Sequence, residues 1–179
     1  MQIINFTSLL LECSILYFGI EKMEGKMNGY EKLNTYIIDN QINAEHLIFK
    51  SSTHSVEEAA KAASAKSEDI VKNICLISSE KKLIVAIVKG EDRVSTKRVA
   101  KVLQIDRPVT ANPEFILEKT GYPIGGVPSF GYEAIFLVDD KVIEKNLIYT
   151  GGGTDHSLIK IDPKVLIRAN KAKIARIRK

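Results

Sequence analysis

Asn73-Ile74-Cys75-Leu76-Ile77-Ser78 and Leu83-Ile84-Val85-Ala86-Ile87-Val88 stand on either side of the polar run Ser79-Glu80-Lys81-Lys82. Both apolar runs are β-rich, and the polar break between them predicts a hairpin. On its N-terminal side, Tyr30 to Gln41 reads as a helix with Leu33, Ile37 and Ile38 on one side, and Ala44 to Lys50 alternates as a short strand. Ser55 is an N-cap with Glu57 and Glu58 in the first turn, and Ser55 to Glu58 has capping-box spacing ahead of a helix to about Ala65. Those two acids are explained structurally.

On the C-terminal side, Ser95 caps a helix to about Leu103, and Thr110 is expected to cap another from about Ala111 to Lys119. Gly121 stops that helix. A glycine-proline loop then runs to Gly131, followed by a buried strand over Ala134 to Val138 and a turn at Asp139-Asp140. Strands over Leu147 to Thr150 and Leu158 to Ile161 flank Gly151-Gly152-Gly153, and Asp162-Pro163 opens a last helix. Helices and strands mix without a strict βαβ rhythm. The expectation is one α+β domain over 28–179, with a mixed, strongly curved, barrel-like sheet flanked by helices.

The chain has 179 residues, 45% hydrophobic and 27% charged, enough for one domain with a real core. Cys13 and Cys75 exclude a disulfide scaffold. His46, His54 and His156 make no metal-ligand spacing with them, and no zinc or P-loop motif occurs, so the site residues include no metal ligand. Residues 3–20 are mostly apolar, but the first basic residue is Lys22 and Glu12 lies mid-segment. An acid at the centre of a membrane span costs about 2.5–3.5 kcal/mol. Residues 1–27 therefore read as a non-catalytic appendage, with no membrane partner and a cytoplasmic location. Between Lys164 and Lys179 lie seven basic residues and no acid, so the residues before them carry a net −3 within the total of +4. Two readings stand open: a polyanion-binding end, or a solvated terminal helix whose cations suit its dipole.

Gly121-Tyr122-Pro123-Ile124-Gly125-Gly126-Val127-Pro128-Ser129-Phe130-Gly131 is the first candidate site element. Glycines allow close approach and positive φ, and prolines stiffen the loop, giving a main-chain surface suited to an oxyanion. The second glycine run, 151–153, leads into a strand, so a dinucleotide fold is excluded. Around Ser129 the spacing is one residue too long for a nucleophile elbow. His156 could serve as a base, but Asp155 beside it would face away if the strand has already begun.

His54-Ser55-Val56-Glu57-Glu58-Ala59-Ala60, then Val71-Lys72-Asn73 before an apolar strand, then Gly121 to Gly131, then Gly151-Gly152-Gly153 with Ile161-Asp162-Pro163, follow an order that resembles the YbaK/EbsC family. That family includes the editing domain inserted in bacterial prolyl-tRNA synthetases and free-standing aminoacyl-tRNA deacylases. The resemblance covers roughly Asn28 to Asn170. It implies hydrolysis of mischarged tRNA bearing a small amino acid (alanine, cysteine or serine), with no metal and no cofactor. By the same resemblance, Lys72 is the essential lysine, and Gly125 and Gly126 hold the ester and the water. Thr53, His54, Val127, Pro128, Ser129 and His156 line or rim the pocket. Where the family loop often reads Gly-x-x-x-Pro, Gly125 is followed four residues later by Ser129, with the proline one place early at Pro128.

The implied partner is the acceptor end of an aminoacyl-tRNA; from the basic end, Arg168, Lys171, Arg176 and Arg178 are expected on tRNA phosphates away from the acceptor tip. Association with an aminoacyl-tRNA synthetase and a homodimer are further expectations. Two competing readings are a non-catalytic aminoacyl-tRNA-binding module and a small-ester serine hydrolase using Ser129.

Overall fold

The computed structural model describes residues 28–179; the expected appendage over 1–27 lies outside the described residues. Helix α1 spans Gly29–Asp39 behind a capping box of Asn28 and Glu31. It stops at Asn40, and Gln41 takes φ 51° instead of continuing it. Strand β1 (Ala44–Ile48) and helix α2 (Val56–Ala63) follow, with Ser55 and Glu58 forming the expected box. Strands β2 (Val71–Ile77) and β3 (Leu83–Lys89) are the expected hairpin, antiparallel from Val71↔Lys89 to Ile77↔Leu83.

Helix α3 (Thr96–Leu103) is capped by Ser95, and β4 (Val109–Thr110) comes next. Thr110 is not the cap of α4 (Pro113–Thr120). It pairs with Leu76 in β4, and Asn112 caps the helix through the Phe115 amide. Pro113, with no N–H to satisfy, fixes the first helical position one place after that cap. Gly121 ends α4 at φ 75°.

The remaining elements are β5 (Ile135–Val138), β6 (Ile148–Gly151), β7 (Ser157–Ile161), α5 (Pro163–Asn170) and β8 (Lys173–Ile174). Asp162 caps α5 with Pro163 behind it, as expected. The basic end is not a terminal helix. Lys171 turns to φ 52°, and the chain continues as β8, parallel to β5.

The strands form two sheets, β1-β7-β6 and β4-β2-β3-β5-β8. The α+β class holds; the barrel-like expectation does not. Neither sheet closes, and the five-stranded one ends in the two-residue strands β4 and β8. The sheets touch through a bridge between Ile70 and Tyr149 and then diverge. Alternation along β3 builds a core on each face. Leu83, Val85 and Ile87 pack with Phe136, Ile148, Ile159 and Leu166 between the sheets. Ile84, Ala86 and Val88 pack with Val99 of α3 and Ile177 on the other face.

Ile177 is fully buried because Asp139 pins the end of the chain. Its carboxylate accepts the amides of Ile177 (2.8 Å) and Arg178 (2.9 Å), and the Arg178 guanidinium pairs with Asp139 and Asp140. Burial works to raise the Asp139 pKa. The amides of Arg178, Lys141 and Ile177 and the Arg178 guanidinium outweigh it, holding the carboxyl below the usual carboxylate range. A depressed folded pKa stabilises above the unfolded value near 3.9, and that contribution disappears as pH falls through the folded value. Asp139→Asn keeps the volume and loses the charge. It should cost about 1–2 kcal/mol at pH 7. The difference from wild type should vanish as melts are taken at progressively lower pH; a cost constant with pH would show that the charge is not what pins the strand.

Candidate functional site

The divergence of the two sheets opens a cleft along one edge of β2. The Ile70 carbonyl accepts the Gly90 amide (2.7 Å) on the β3 side, and the Cys75 carbonyl accepts the Ala111 amide (3.0 Å) on the other. By the alternation of an antiparallel ladder, Val71 and Asn73 turn their main-chain groups to that second edge. Strand β4 covers it only at Leu76 and Ile77. The cleft beyond measures about 320 Å³. Its walls come from the α2 entry (Thr53, His54), from β2 (Lys72, Asn73) and from the first glycine loop (Gly125, Val127), with Ala59, Ile116 and Leu158 among its apolar side.

A closed hydrogen-bond ring behind the cleft sets the shape of that loop. Asn73 Nδ2 donates to the Val127 carbonyl (2.8 Å) and to Thr150 Oγ1 (3.0 Å). Ser129 Oγ donates to Asn73 Oδ1 (2.7 Å), which leaves the Thr150 hydroxyl to donate to Ser129 Oγ (2.6 Å). The neighbouring carbonyls are held too. Gly126 accepts the Gly153 amide (2.8 Å), Pro128 the Tyr132 hydroxyl (2.7 Å) and Ser129 the Asn170 side chain (2.9 Å). Four consecutive carbonyls, 126 to 129, are thus engaged away from a ligand. Among the described residues, the amides of Gly125 and Val127 take no partner. A free amide has the polarity that stabilises an oxyanion.

Gly125 has φ 89°, and the His54 ring stands where a Cβ would project. Glycine is required there twice over, by conformation and by contact. Gly126 plays another part than expected. A Cβ on it would lie 2.8–2.9 Å from main-chain atoms of Gly153 and Thr154, so the two glycine loops pack back to back, and Gly126 supports the cleft from behind. His46 steadies the second loop by donating Nε2–H to the Gly152 carbonyl (2.7 Å) while stacked on Tyr30. Burial lowers its pKa, against that hydrogen bond, which raises it.

Lys72 lies on the cleft wall, with Nζ donating to the Gly90 carbonyl at 2.7 Å. Cys75 also lines the cleft, but burial pushes its thiol up to about 11, which leaves no thiolate for nucleophilic attack. Thr53 is 4% exposed, and its hydroxyl has no partner among the described residues although it faces the same space. A buried polar atom left unpaired costs about 1–3 kcal/mol. Among the described residues, no three His, Cys, Asp or Glu side chains gather as metal ligands.

The structure thus brings Thr53, His54, Lys72, Gly125 and Val127 together on one cleft and puts Gly126, Pro128 and Ser129 behind it. Ser129 is fully buried, its proton is committed to Asn73, and it has no histidine partner, which removes the serine-hydrolase reading. Ser129→Ala should lower stability by about 1–3 kcal/mol through the broken ring, and an active-serine probe should label neither form. Covalent labelling of Ser129 in the wild type would overturn that assignment.

His156 is exposed in the turn before β7 and is not among the residues that line the cleft. Because the strand has not begun there, Asp155 does reach it, at 3.8 Å from Nε2. Arg168, Lys171 and Arg176 are exposed, whereas Arg178 is tied to Asp139 and Asp140 and is no longer a candidate for RNA. Asn73 and Thr150 were missed as site residues. The signal for Asn73 was present: an amide side chain inside an apolar strand must find buried partners.

Lys72 and the main chain of the first glycine loop thus both border the cleft. A model of the aminoacyl-tRNA editing domain matches residues 50–169, and the chain belongs to that family. It is 25% identical over 157 residues to the proline–tRNA ligase of Thermosipho melanesiensis, covering 87% of this chain and 27% of the ligase. It is 23% identical over 128 residues to the uncharacterized protein YwhH of Bacillus subtilis strain 168, covering 70% of this chain and 81% of YwhH. Among solved structures, a candidate trans-editing enzyme for prolyl tRNA synthetase superposes with a TM-score of 0.79 at 22% identity, over 86% of this chain and 98% of the other. The hypothetical protein APE2540 gives 0.78 at 24%, over 83% and 100%. These two likenesses establish the fold.

Proposed function

We propose that the chain acts in trans as a deacylase of mischarged aminoacyl-tRNA, removing a small amino acid of the alanine, cysteine or serine type. The observation that carries this is the cleft itself: Lys72 and a glycine loop, two of whose amides have no partner among the described residues, line one cavity in a chain of the editing family. The amides of Gly125 and Val127 receive the oxyanion that forms when water adds to the ester carbonyl. The intermediate collapses by expelling the ribose oxygen of the tRNA, which takes up the proton that water gives up. The products are free amino acid and tRNA. Lys72 acts as a fixed cation that positions the acceptor end. Aminoacyl esters are activated, so positioning and oxyanion stabilisation suffice. The apolar wall sets an upper size on the side chain, the kind of second sieve that small residues require.

No metal or nucleotide cofactor enters this reading. A chelator should leave the release of free alanine from alanyl-tRNA unchanged, while binding without release would mark a non-catalytic module. Among the described residues no helix is long and apolar enough to cross a membrane, and we place the protein in the cytoplasm with its tRNA. Association with a synthetase and a homodimer are further parts of the proposal. Residues 1–27 are assigned no chemistry. A chain beginning at Met27 should fold and keep its rate per molecule. A folded but inactive product would place a catalytic contribution in the missing residues.

A further inference from the structure

The basic residues near the end of the chain are adjacent in sequence and divided in space. Arg168 borders a shallow depression beside Asn40 and Ile42, and Arg178 is held by Asp139 and Asp140. Lys173 and Lys179 are carried instead to α3. The Lys179 amide donates to the Arg93 carbonyl (2.7 Å), the Ser95 amide to the Ile177 carbonyl (2.8 Å), and Lys173 Nζ to the Val102 carbonyl (2.9 Å). Val94 and Arg178 form an antiparallel bridge, and Arg98 donates to the Arg178 carbonyl.

Helix α3 adds its own cations. It contains no acid, and Lys97 and Lys101, four residues apart and so on one face, are both exposed. Arg107, also exposed, reaches back to Thr96 Oγ1 (2.7 Å). Arg93, Lys97, Lys101, Arg107, Lys173 and Lys179, all exposed, are therefore carried by α3 and the segments bonded to it, with Asp92 and Asp106 as the nearest acids in sequence. Nothing in the contiguous C-terminal run announces the α3 half. These segments also meet the cleft at both ends. Arg107 is three residues from Thr110, which lines the cleft, and Arg93 is three from Gly90, which holds Lys72. Three residues span at most about 11 Å, close to the Debye length at physiological salt.

We infer that α3 and the C-terminal strand form one phosphate-binding face that holds the RNA backbone next to the acyl-bearing tip in the cleft. This rests on the proposed substrate. An acidic protein is the poorer fit: Ile174 on the C-terminal strand is exposed, but α3 exposes no large apolar side chain, and interface centres are depleted of charge. Phosphates need only the cations, and each one neutralised releases counterions.

The test uses the full chain and uncharged tRNA, so it stands whether or not hydrolysis is found. Binding is measured by fluorescence anisotropy across a salt series for wild type, for K97Q/K101Q/R107Q, and for K61Q/K81Q/K164Q, which removes three exposed cations elsewhere. Equal melting temperatures establish that all three are folded. Loss of three phosphate contacts should flatten the log–log salt slope by about 2–3 in the first variant, at roughly 0.7–0.9 per contact, and leave the second at the wild-type slope. An unchanged slope in the first variant, or an equal change in both, would overturn the assignment. Alanyl-tRNA that is never hydrolysed, alongside the expected slopes, would count against the deacylase reading alone.

Discussion

Lys72→Ala should lose about 10²–10³-fold in single-turnover deacylation while the protein stays folded. That range is the usual effect of removing one preorganised electrostatic partner of a transition state. The side chain contributes one hydrogen bond to the fold, Nζ to the Gly90 carbonyl. Its loss is worth about 1 kcal/mol, or roughly 2–4 °C in melting temperature for a chain of this size. Rate and stability should therefore separate cleanly. Lys72→Arg should recover part of the rate if a positioned cation is what matters, and none if the compact ammonium is needed at its present place. Full deacylation by Lys72→Ala would remove the lysine from the mechanism.

Asn73→Ala should damage both fold and rate. The substitution takes partners from the Val127 carbonyl, Thr150 Oγ1 and Ser129 Oγ together, in surroundings where Ser129 and Thr150 are fully buried. Leaving such groups unpaired costs about 1–3 kcal/mol each, less when summed because they share one network. We expect about 2–4 kcal/mol by denaturant melts and a rate lower by about 10²-fold, because the loop amides lose their fixed aim. Asn73→Asp offers the ring no donor and should not rescue it. The two variants therefore fail differently. Lys72→Ala is stable and slow, whereas Asn73→Ala is unstable and slow. An Asn73→Ala protein of wild-type stability would mean that the ring does not hold the loop.

The elements were legible where a local rule decided them. The β2–β3 hairpin, the caps at Ser55, Ser95 and Asp162, and the stop at Gly121 each depend on a few neighbouring residues. Thr110 misled because a threonine ahead of an apolar run satisfies the cap rule as well as Asn112 does; Pro113 and the pairing with Leu76 decide between them. Sheet closure was not legible, since it depends on whether β2 and β6 stay paired beyond the Ile70–Tyr149 bridge. The site was legible as residue types and less so as roles. Gly125 and Gly126 are adjacent, yet one faces the His54 ring and the other the second glycine loop. The basic end looked like one feature because charge was read along the chain. Arg178 belongs to an internal ion pair, and Lys179 is bonded beside Arg93 at the entry to α3.

The most direct measurement of the central claim is the initial rate of amino-acid release from one tRNA species charged in turn with alanine, serine, cysteine, proline and leucine, with purified wild-type chain. The account predicts turnover of at least one of the three small esters and release of leucine no faster than the uncatalysed background, because the proposed second sieve admits only small side chains. Release from none of the small esters, or equal release from all five, would contradict it.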